Sequence, residues 1–472
     1  MTLTFILILA GLAAVLGLFA RGRWRLPLLL SVSALTVYAL QPALPIRYLD
    51  FWLPTATLGL VVLGWVLTAP PDRRAWRDNW GAAAILGAVV LLLALSRLLG
   101  LDLPAVGRPP RLLPLLLFVT GVAGLAVFFQ RSPRLSRLGL ALGVFFLLLL
   151  FICLKYPPLT TALSAWLRRW NAQSAALASA LDLRWLGFSY LAFRLLHTFR
   201  DRQAGRLPPV SLAEYAIYAV FFPALAAGPI DRIERFVEDL RRPRPLDSQG
   251  WLEAGRRLTL GLFKKFVLAD TLALIALSPV NALQVHSAGW AWVLLYAYSL
   301  QLYFDFAGYT DIAIGLGRLV GVKLPENFNA PYLKPNLTQF WNNWHMTLTQ
   351  WIRAYVFNPL TRALRASKRS LPAALIILAG QLSTMLLIGL WHGITWNFVL
   401  WGLWHAAGLF FHNRWSEWTR PRLAAVSGSK RALLDLGGAL LTFHYVTLGW
   451  VWFALPDPLT SWQVFLKLMG VS

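Results

Sequence analysis

Three stretches of this 472-residue sequence set imidazoles, carboxylates and amides inside apolar surroundings, where ionisable groups are costly and mark functional candidates. The first is GLWHGITWN (389–397), in which His392 is flanked by Trp391 and Gly393, with Trp396 and Asn397 just beyond. The second is FWNNWHMTLTQWIR (340–353). Helical spacing there predicts one stripe of Trp341, His345 and Thr349, an imidazole between an indole and a hydroxyl, with Asn342 and Asn343 alongside. The third, YFDFAGYTD (303–311), places Asp305 and Tyr309 on one helical face at i, i+4. Histidine titrates near neutral pH, so either imidazole offers general acid–base chemistry. Each stretch also has a structural reading: a histidine at a helix C-terminus, an interfacial tryptophan belt, or a polar cluster joining helices. Taken alone, the residues leave both readings open.

Other chemistries find no support. HExxH and close His/carboxylate groupings are missing, so no metal site is expected, and GxSxG, P-loop and GxGxxG motifs are absent. Cys153 is the only cysteine and lies within an apolar run, which excludes an intrachain disulfide and a Cys-based zinc site. No serine or cysteine nucleophile adjoins either histidine, which favours direct transfer over a covalent intermediate.

The elements that must position these residues follow from composition. Hydrophobic residues make up 58% and charged residues 14%, so the expected fold is an all-α, polytopic integral membrane protein forming one domain. The formal charge of +24 sits between apolar runs, which points to topology and anionic lipid rather than nucleic acid. Six spans are predicted before residue 156: Thr2 to Ala20, Leu26 to Leu44, Phe51 to Ala69, Gly81 to Gly100, Leu112 to Phe129 and Leu138 to Leu154. Arg21, Arg23 and Arg25, then Arg73, Arg74 and Arg77, then Arg131, Arg134 and Arg137 mark the odd loops as cytoplasmic, with the N-terminus outside. The basic residues after the first run argue against a cleaved signal peptide.

Beyond Pro157 the runs shorten. Leu163 to Leu181, interrupted by Arg168 and Arg169, is predicted to lie at the interface. Further spans are expected at Trp185 to Phe199, Tyr215 to Ala227, Leu258 to Ala276, Trp290 to Leu319, Leu375 to Leu390, Trp396 to Phe411 and Leu433 to Leu455, about 11 to 13 in all with interfacial and re-entrant helices. Basic amphipathic segments at Asp231 to Arg244 and Pro335 to Arg365 suggest a chamber, because polar backbone at membrane depth needs protein or a water-filled cavity around it. No internal repeat of the transporter kind is found.

With FFPALAAGPIDR (221–232), GLFKKFVLAD (261–270), LQLYFDFAGYTDIAIGLGRLVGVKLPENFNAPY (300–332), the 340–360 segment and GLWHGITWNFVLWGLWH (389–405), the chain resembles the membrane-bound O-acyltransferases. The resemblance is to their bacterial branch of alginate O-acetyltransferases and teichoic-acid D-alanyl transfer proteins. It divides the domain into N-terminal spans (1–156), a family-matching core (185–410) and a C-terminal span and tail (411–472). It implies helices around a central tunnel, with His345 and His392 as catalytic residues. Trp341, Asn342, Asn343, Trp391, Trp396, Asn397, Asp305 and Tyr309 are the candidate substrate-binding set. His392 is the chosen base for a hydroxyl, and His345 would orient substrate or act with Asn342 or Asn343 on an oxyanion; the residues alone do not divide these roles. No bound cofactor is expected. The implied donor is acetyl-CoA on the cytoplasmic side of the inner membrane, or alternatively an acylated carrier protein. The acceptor is a cell-surface polysaccharide or an extracytoplasmic partner acyltransferase, with D-alanyl transfer to teichoic acid as the alternative. A transporter or flippase is the reading from another class. The chain departs from the family pattern at Ala354, where many relatives have Asp, and at Thr361 to Ala363, where they carry Gly-Gly-Asn.

Overall fold

The computed structural model describes residues 2–70, 73–97, 99–100, 107–367 and 371–471, with the side chains at 76 and 133–137 outside the description. The side chains of Arg134 and Arg137, used above for topology, are therefore outside it, as is residue 98 of the predicted fourth span. Helices account for the regular structure, and no strand occurs among the described residues. The chain divides into two compact units, Met1–Leu258 with Ile312–Leu324, and Thr259–Asp311 with Pro325–Ser472.

Among the described residues, six helices are long and apolar enough to cross a membrane: Leu49–Thr68, Arg77–Leu95, Leu112–Arg131, Leu138–Lys155, Ala373–His392 and Gly428–Ala454. Leu3–Phe19 and Leu212–Ala224 are shorter apolar stretches. The architecture is thus the expected all-α membrane one. Burial does not track hydropathy. Leu49–Thr68, with mean hydropathy 1.7, is 72% buried in protein, whereas Leu112–Arg131 at 2.5 is 11% buried. Lipid solvates leucine as well as a protein core does, so an apolar face needs no protein cover, and helices pack instead where small residues let backbones approach. Gly64 shows the use of a small residue in the first unit: an added Cβ would lie 2.9 Å from the Tyr215 hydroxyl, so that side chain packs directly on the helix backbone.

One predicted element is corrected. Leu163 to Leu181 is not a continuous interfacial helix, because the helix Pro157–Trp170 ends and two short 3-10 turns follow. Arg168, expected at a lipid surface, is instead buried and paired with the buried Asp182 at 2.8 Å, with the Ser164 hydroxyl donating to the same carboxylate at 2.6 Å. A buried guanidinium requires such a counter-ion, and the chain turns back after Trp170 to supply it. Burial raises the Asp182 pKa, but hydrogen bonds from Arg168, Ser164 and the Ser179 amide outweigh that and hold it below the usual carboxylate value.

The second unit contains the histidine-bearing segments. The expected span Leu258 to Ala276 is α-helical only to Leu262, then π-helical over Phe263–Ala269. Ala288–Leu319 is a single 32-residue helix. The amphipathic segment Pro335 to Arg365 is four pieces: Leu337–Asn343, Met346–Ile352, a π-helical turn Arg353–Phe357 and Asn358–Arg365. Such π-helical turns occur most often beside functional sites. Ala373–His392, Trp396–Leu423 and Gly428–Ala454 then follow as long helices.

Candidate active site

The predicted stripe of Trp341, His345 and Thr349 on one helix is not what forms, because the helix breaks at Trp344 and His345. His345 has φ 43° and ψ 51°, a left-handed conformation that costs a non-glycine residue about 1–3 kcal/mol and needs support from its surroundings. That support comes from the loop after Pro325. The Asn327 carbonyl accepts from the Met346 amide at 2.9 Å, and the Asn327 side-chain oxygen accepts from the Thr347 amide at 3.2 Å and the Thr347 hydroxyl at 2.9 Å. Asn327, fully buried, thus caps the helix Met346–Ile352, whose first amides have no intrahelical partner.

The same oxygen fixes the histidine. His345 Nδ1 lies 3.1 Å from Asn327 Oδ1. The Thr347 amide can only donate, so the atom it meets is the carboxamide oxygen, and Nδ1 must carry the proton. The neutral ring therefore presents a lone pair at Nε2, which is buried and has no hydrogen-bond partner among the described residues. The Phe306 ring meets the imidazole edge-on at 4.8 Å, which locks its plane.

His392 is the last residue of Ala373–His392, where Gly393 ends the helix in extended backbone. Its ring sits among Trp391 at 4.5 Å, Phe453 at 4.7 Å and Phe398 at 5.9 Å. Trp391 also lies 6.0 Å from His345, so one indole touches both imidazoles. The two helices on either side of Gly393 approach closely: a Cβ at Gly389 would fall 2.3 Å from the Phe398 carbonyl oxygen.

Both histidines line one cavity of about 40 Å³, walled by Leu302, Phe306, Trp341, Trp344, Thr349 and Trp401 among others. A second cavity of about 300 Å³ shares Trp341 and Thr349 with it and adds Asn342, Arg353, Gln381 and Asn413. Trp341 Nε1 and Gln381 Oε1 are buried and have no hydrogen-bond partner among the described residues, a donor and an acceptor left for a bound molecule. So Trp341, His345, Thr349 and His392 are brought together, although by a broken helix rather than a continuous stripe.

The other candidates are placed differently. The Arg353 guanidinium donates to the Asn342 side-chain oxygen at 2.6 Å in the larger cavity, while Asn343 turns back to the Gln339 carbonyl. Asn397 is buried and donates to the Leu455 carbonyl at 2.7 Å and to Ser461, a structural tie. Trp396 is 74% exposed. Asp305 pairs with Lys265, Tyr309 is buried, and neither lines the two cavities. Sequence reasoning did not single out Asn327, Phe306, Trp401 or Phe453. Nor did it single out His405, fully buried, with no hydrogen-bond partner for either ring nitrogen among the described residues, and 5.0 Å from Trp341. The one available signal for Asn327 was its place between Pro325 and Pro331, where an amide outside regular structure has to pair with something. The expectation that no close His/carboxylate grouping exists is corrected: among the described residues, His197 and Asp201, four apart on one helix, come within reach of Glu234 in the first unit, a grouping that includes neither cavity histidine. The Arg206 guanidinium already holds Asp201 at 2.7 Å.

A helical membrane protein with an apolar, histidine-lined cavity is the class that fold and site define. Residues 138–448 match the membrane-bound O-acyltransferase family, MBOAT, and the chain belongs to it. It is 35% identical over 282 residues to "Probable alginate O-acetylase AlgI" of Pseudomonas aeruginosa, covering 59% of this chain and 50% of that protein. It is likewise 35% identical over 240 residues to "Teichoic acid D-alanyltransferase" of Streptococcus thermophilus, covering 49% and 58%. To "Peptidoglycan O-acetyltransferase" of Helicobacter pylori it is 33% identical over 272 residues, covering 55% and 47%. The match spans about half the length of these curated relatives.

Proposed function

We propose that the chain is an O-acyltransferase that moves a short acyl group, acetyl from acetyl-CoA, to a hydroxyl of a cell-envelope polysaccharide or to an extracytoplasmic partner enzyme. The observation that carries this reading is the pair of imidazoles on one small cavity, one of them with a tautomer that leaves Nε2 as an acceptor. The base is His345 rather than His392, the choice the sequence had suggested. His345 Nε2 takes the proton of the acceptor hydroxyl, the oxygen attacks the thioester carbonyl, and the tetrahedral intermediate collapses by breaking the C–S bond. The proton then passes to the departing thiolate, so that ester and thiol are the products. His392 and the Trp341 N–H supply donors for the oxyanion.

Several features support a donor approach through the larger cavity. It shares Trp341 and Thr349 with the small one, Arg353 and Asn342 line it, and its lining residue Phe357 is followed in the chain by the exposed Arg362 and Arg365. Loops of that kind stay on the cytoplasmic face of an inner membrane, where a soluble thioester would be met. The test is incubation of purified protein with radiolabelled acetyl-CoA, with and without surface polysaccharide. Label on the polysaccharide supports the reading. If no label transfers from acetyl-CoA but a D-alanyl carrier protein serves, the donor assignment falls; if neither serves and His392→Ala leaves transport of a solute intact, the enzyme reading falls.

A further inference from the structure

Outside the histidine site, the first unit contains a cleft of about 450 Å³ lined by Arg21, Arg25 and Arg244. Its other walls are the backbone at Gly22 and Gly321 and the apolar side chains of Leu18, Leu246 and Leu319. Both glycines have positive φ, 54° and 78°, so the two turns that frame the cleft are available without strain. A Cβ at Gly17 would fall 2.1 Å from the Leu319 carbonyl oxygen, so the helix Leu3–Phe19 touches backbone on that side of the cleft.

The three guanidiniums are underused. Arg25 gives Nη2 to the Val320 carbonyl at 2.9 Å, while its Nε is buried without a hydrogen-bond partner. Burial depresses the pKa of this group, the mark of a cation without a counter-charge beside it. The Arg21 guanidinium is exposed and has no ion-pair or hydrogen-bond partner among the described residues. Arg244 faces Asp239 only at 3.8 Å on the rim, where such pairs contribute little. The one carboxylate in the lining, Asp247, is occupied, with Arg318 at 3.8 Å and the Gly250 amide at 2.8 Å.

We infer that this cleft binds a phosphate ester, with the arginine N–H groups on the phosphate oxygens and the leucine wall against the attached carbon chain. Guanidinium forks match phosphate geometry, and a partly desolvated one gains more from an anion than a solvated lysine does. Basic pockets between membrane helices on the face that the arginine alternation marks as cytoplasmic suit an anionic lipid headgroup. A soluble phosphate ester offers the same atoms, so the two sources have to be separated by experiment. The inference does not depend on the acyl-transfer reading.

Full-length protein in phosphatidylcholine nanodiscs would be probed with phosphatidylglycerol by native mass spectrometry, and with coenzyme A and inorganic phosphate by calorimetric titration. Phosphatidylglycerol retained over phosphatidylcholine and not displaced by coenzyme A identifies a lipid site; binding of coenzyme A or phosphate identifies a soluble one. In either case Arg21→Gln with Arg244→Gln should weaken the bound probe about 30-fold, given roughly 1 kcal/mol per basic residue near an anionic group. Arg21→Lys with Arg244→Lys should retain most of the binding. Arg25 is left in place because it ties Val320, and the single Arg21→Gln, at an exposed residue with no side-chain partner among the described residues, should weaken binding about 5-fold and serves if the double variant is unstable. The inference is overturned if none of the three probes binds above the phosphatidylcholine background, or if the glutamine variants bind as tightly as Arg420→Gln with Arg422→Gln, a control elsewhere on the surface.

Discussion

His345 and Asn327 are joined by a 3.1 Å hydrogen bond in which the direction is fixed, because the same amide oxygen also accepts from the backbone of Thr347. One buried side chain thereby caps a helix, holds a left-handed residue and sets the tautomer of an imidazole. Replacing Asn327 with Ala should lower kcat for acyl transfer about 10- to 100-fold, the range seen when the partner orienting a functional histidine is removed, and should change KM little. Steady-state kinetics on a detergent-solubilised variant that still elutes as a single species would check this. An unchanged kcat would show that His345 needs no orientation.

His345 and His392 share one cavity and one indole, Trp391, so their contributions should not add. Single replacements, His345→Gln and His392→Gln, are each expected to cut kcat at least about 100-fold, as loss of a general base or an oxyanion donor does. The double variant should be little worse than the poorer single one. Free energies that sum in a double-mutant cycle would mean that the two rings serve separate steps.

The fold class was legible because membrane helices announce themselves by length and apolarity, whereas His345 and His392 became candidates through the resemblance of the motifs around them, their apolar context alone leaving structural readings open. The break at Trp344 was not legible. The 340–353 segment has good helical spacing and no proline or glycine, and what ends the helix is an asparagine from another segment that takes the amides of Met346 and Thr347. Arg168 was misread for a similar reason. An arginine pair in an apolar run looks interfacial, because nothing local shows that Asp182, in the second of the short turns that follow, meets Arg168. Nor does the sequence reveal that the Asn397 amide nitrogen, beside a candidate motif, holds the next segment, here Leu455 and Ser461.

The Arg168–Asp182 pair gives a stability prediction with a defined pH sense. The folded carboxyl has a pKa below its unfolded value of about 3.9, so its contribution is present in full above that pH and is lost as pH falls through the folded pKa. Asp182→Asn should destabilise the protein by about 3–5 kcal/mol at neutral pH, because it leaves a buried guanidinium unpaired. Thermal melts in detergent across pH 3 to about 7 should show wild type approaching the variant only at the acid end. A constant gap between the two curves would refute the role given to this pair.

Gly389 supplies the last prediction, which connects packing to the site. A Cβ there would stand 2.3 Å from the Phe398 carbonyl oxygen and 3.4 Å from the Trp401 ring, and the nearer obstacle is backbone that cannot rotate away. Gly389→Ala must therefore push Trp396–Leu423 off Ala373–His392, three residues before His392 and next to the Trp401 wall of the cavity. Overpacking of this kind costs about 1–3 kcal/mol, and a displacement near 1 Å at a catalytic group costs about 100-fold in rate. Activity should thus fall by more than the loss of stability explains. Gly11→Ala, at a position with open space around it, should leave both unchanged. If Gly389→Ala melts and turns over like wild type, the close approach of these two helices does not set the position of His392.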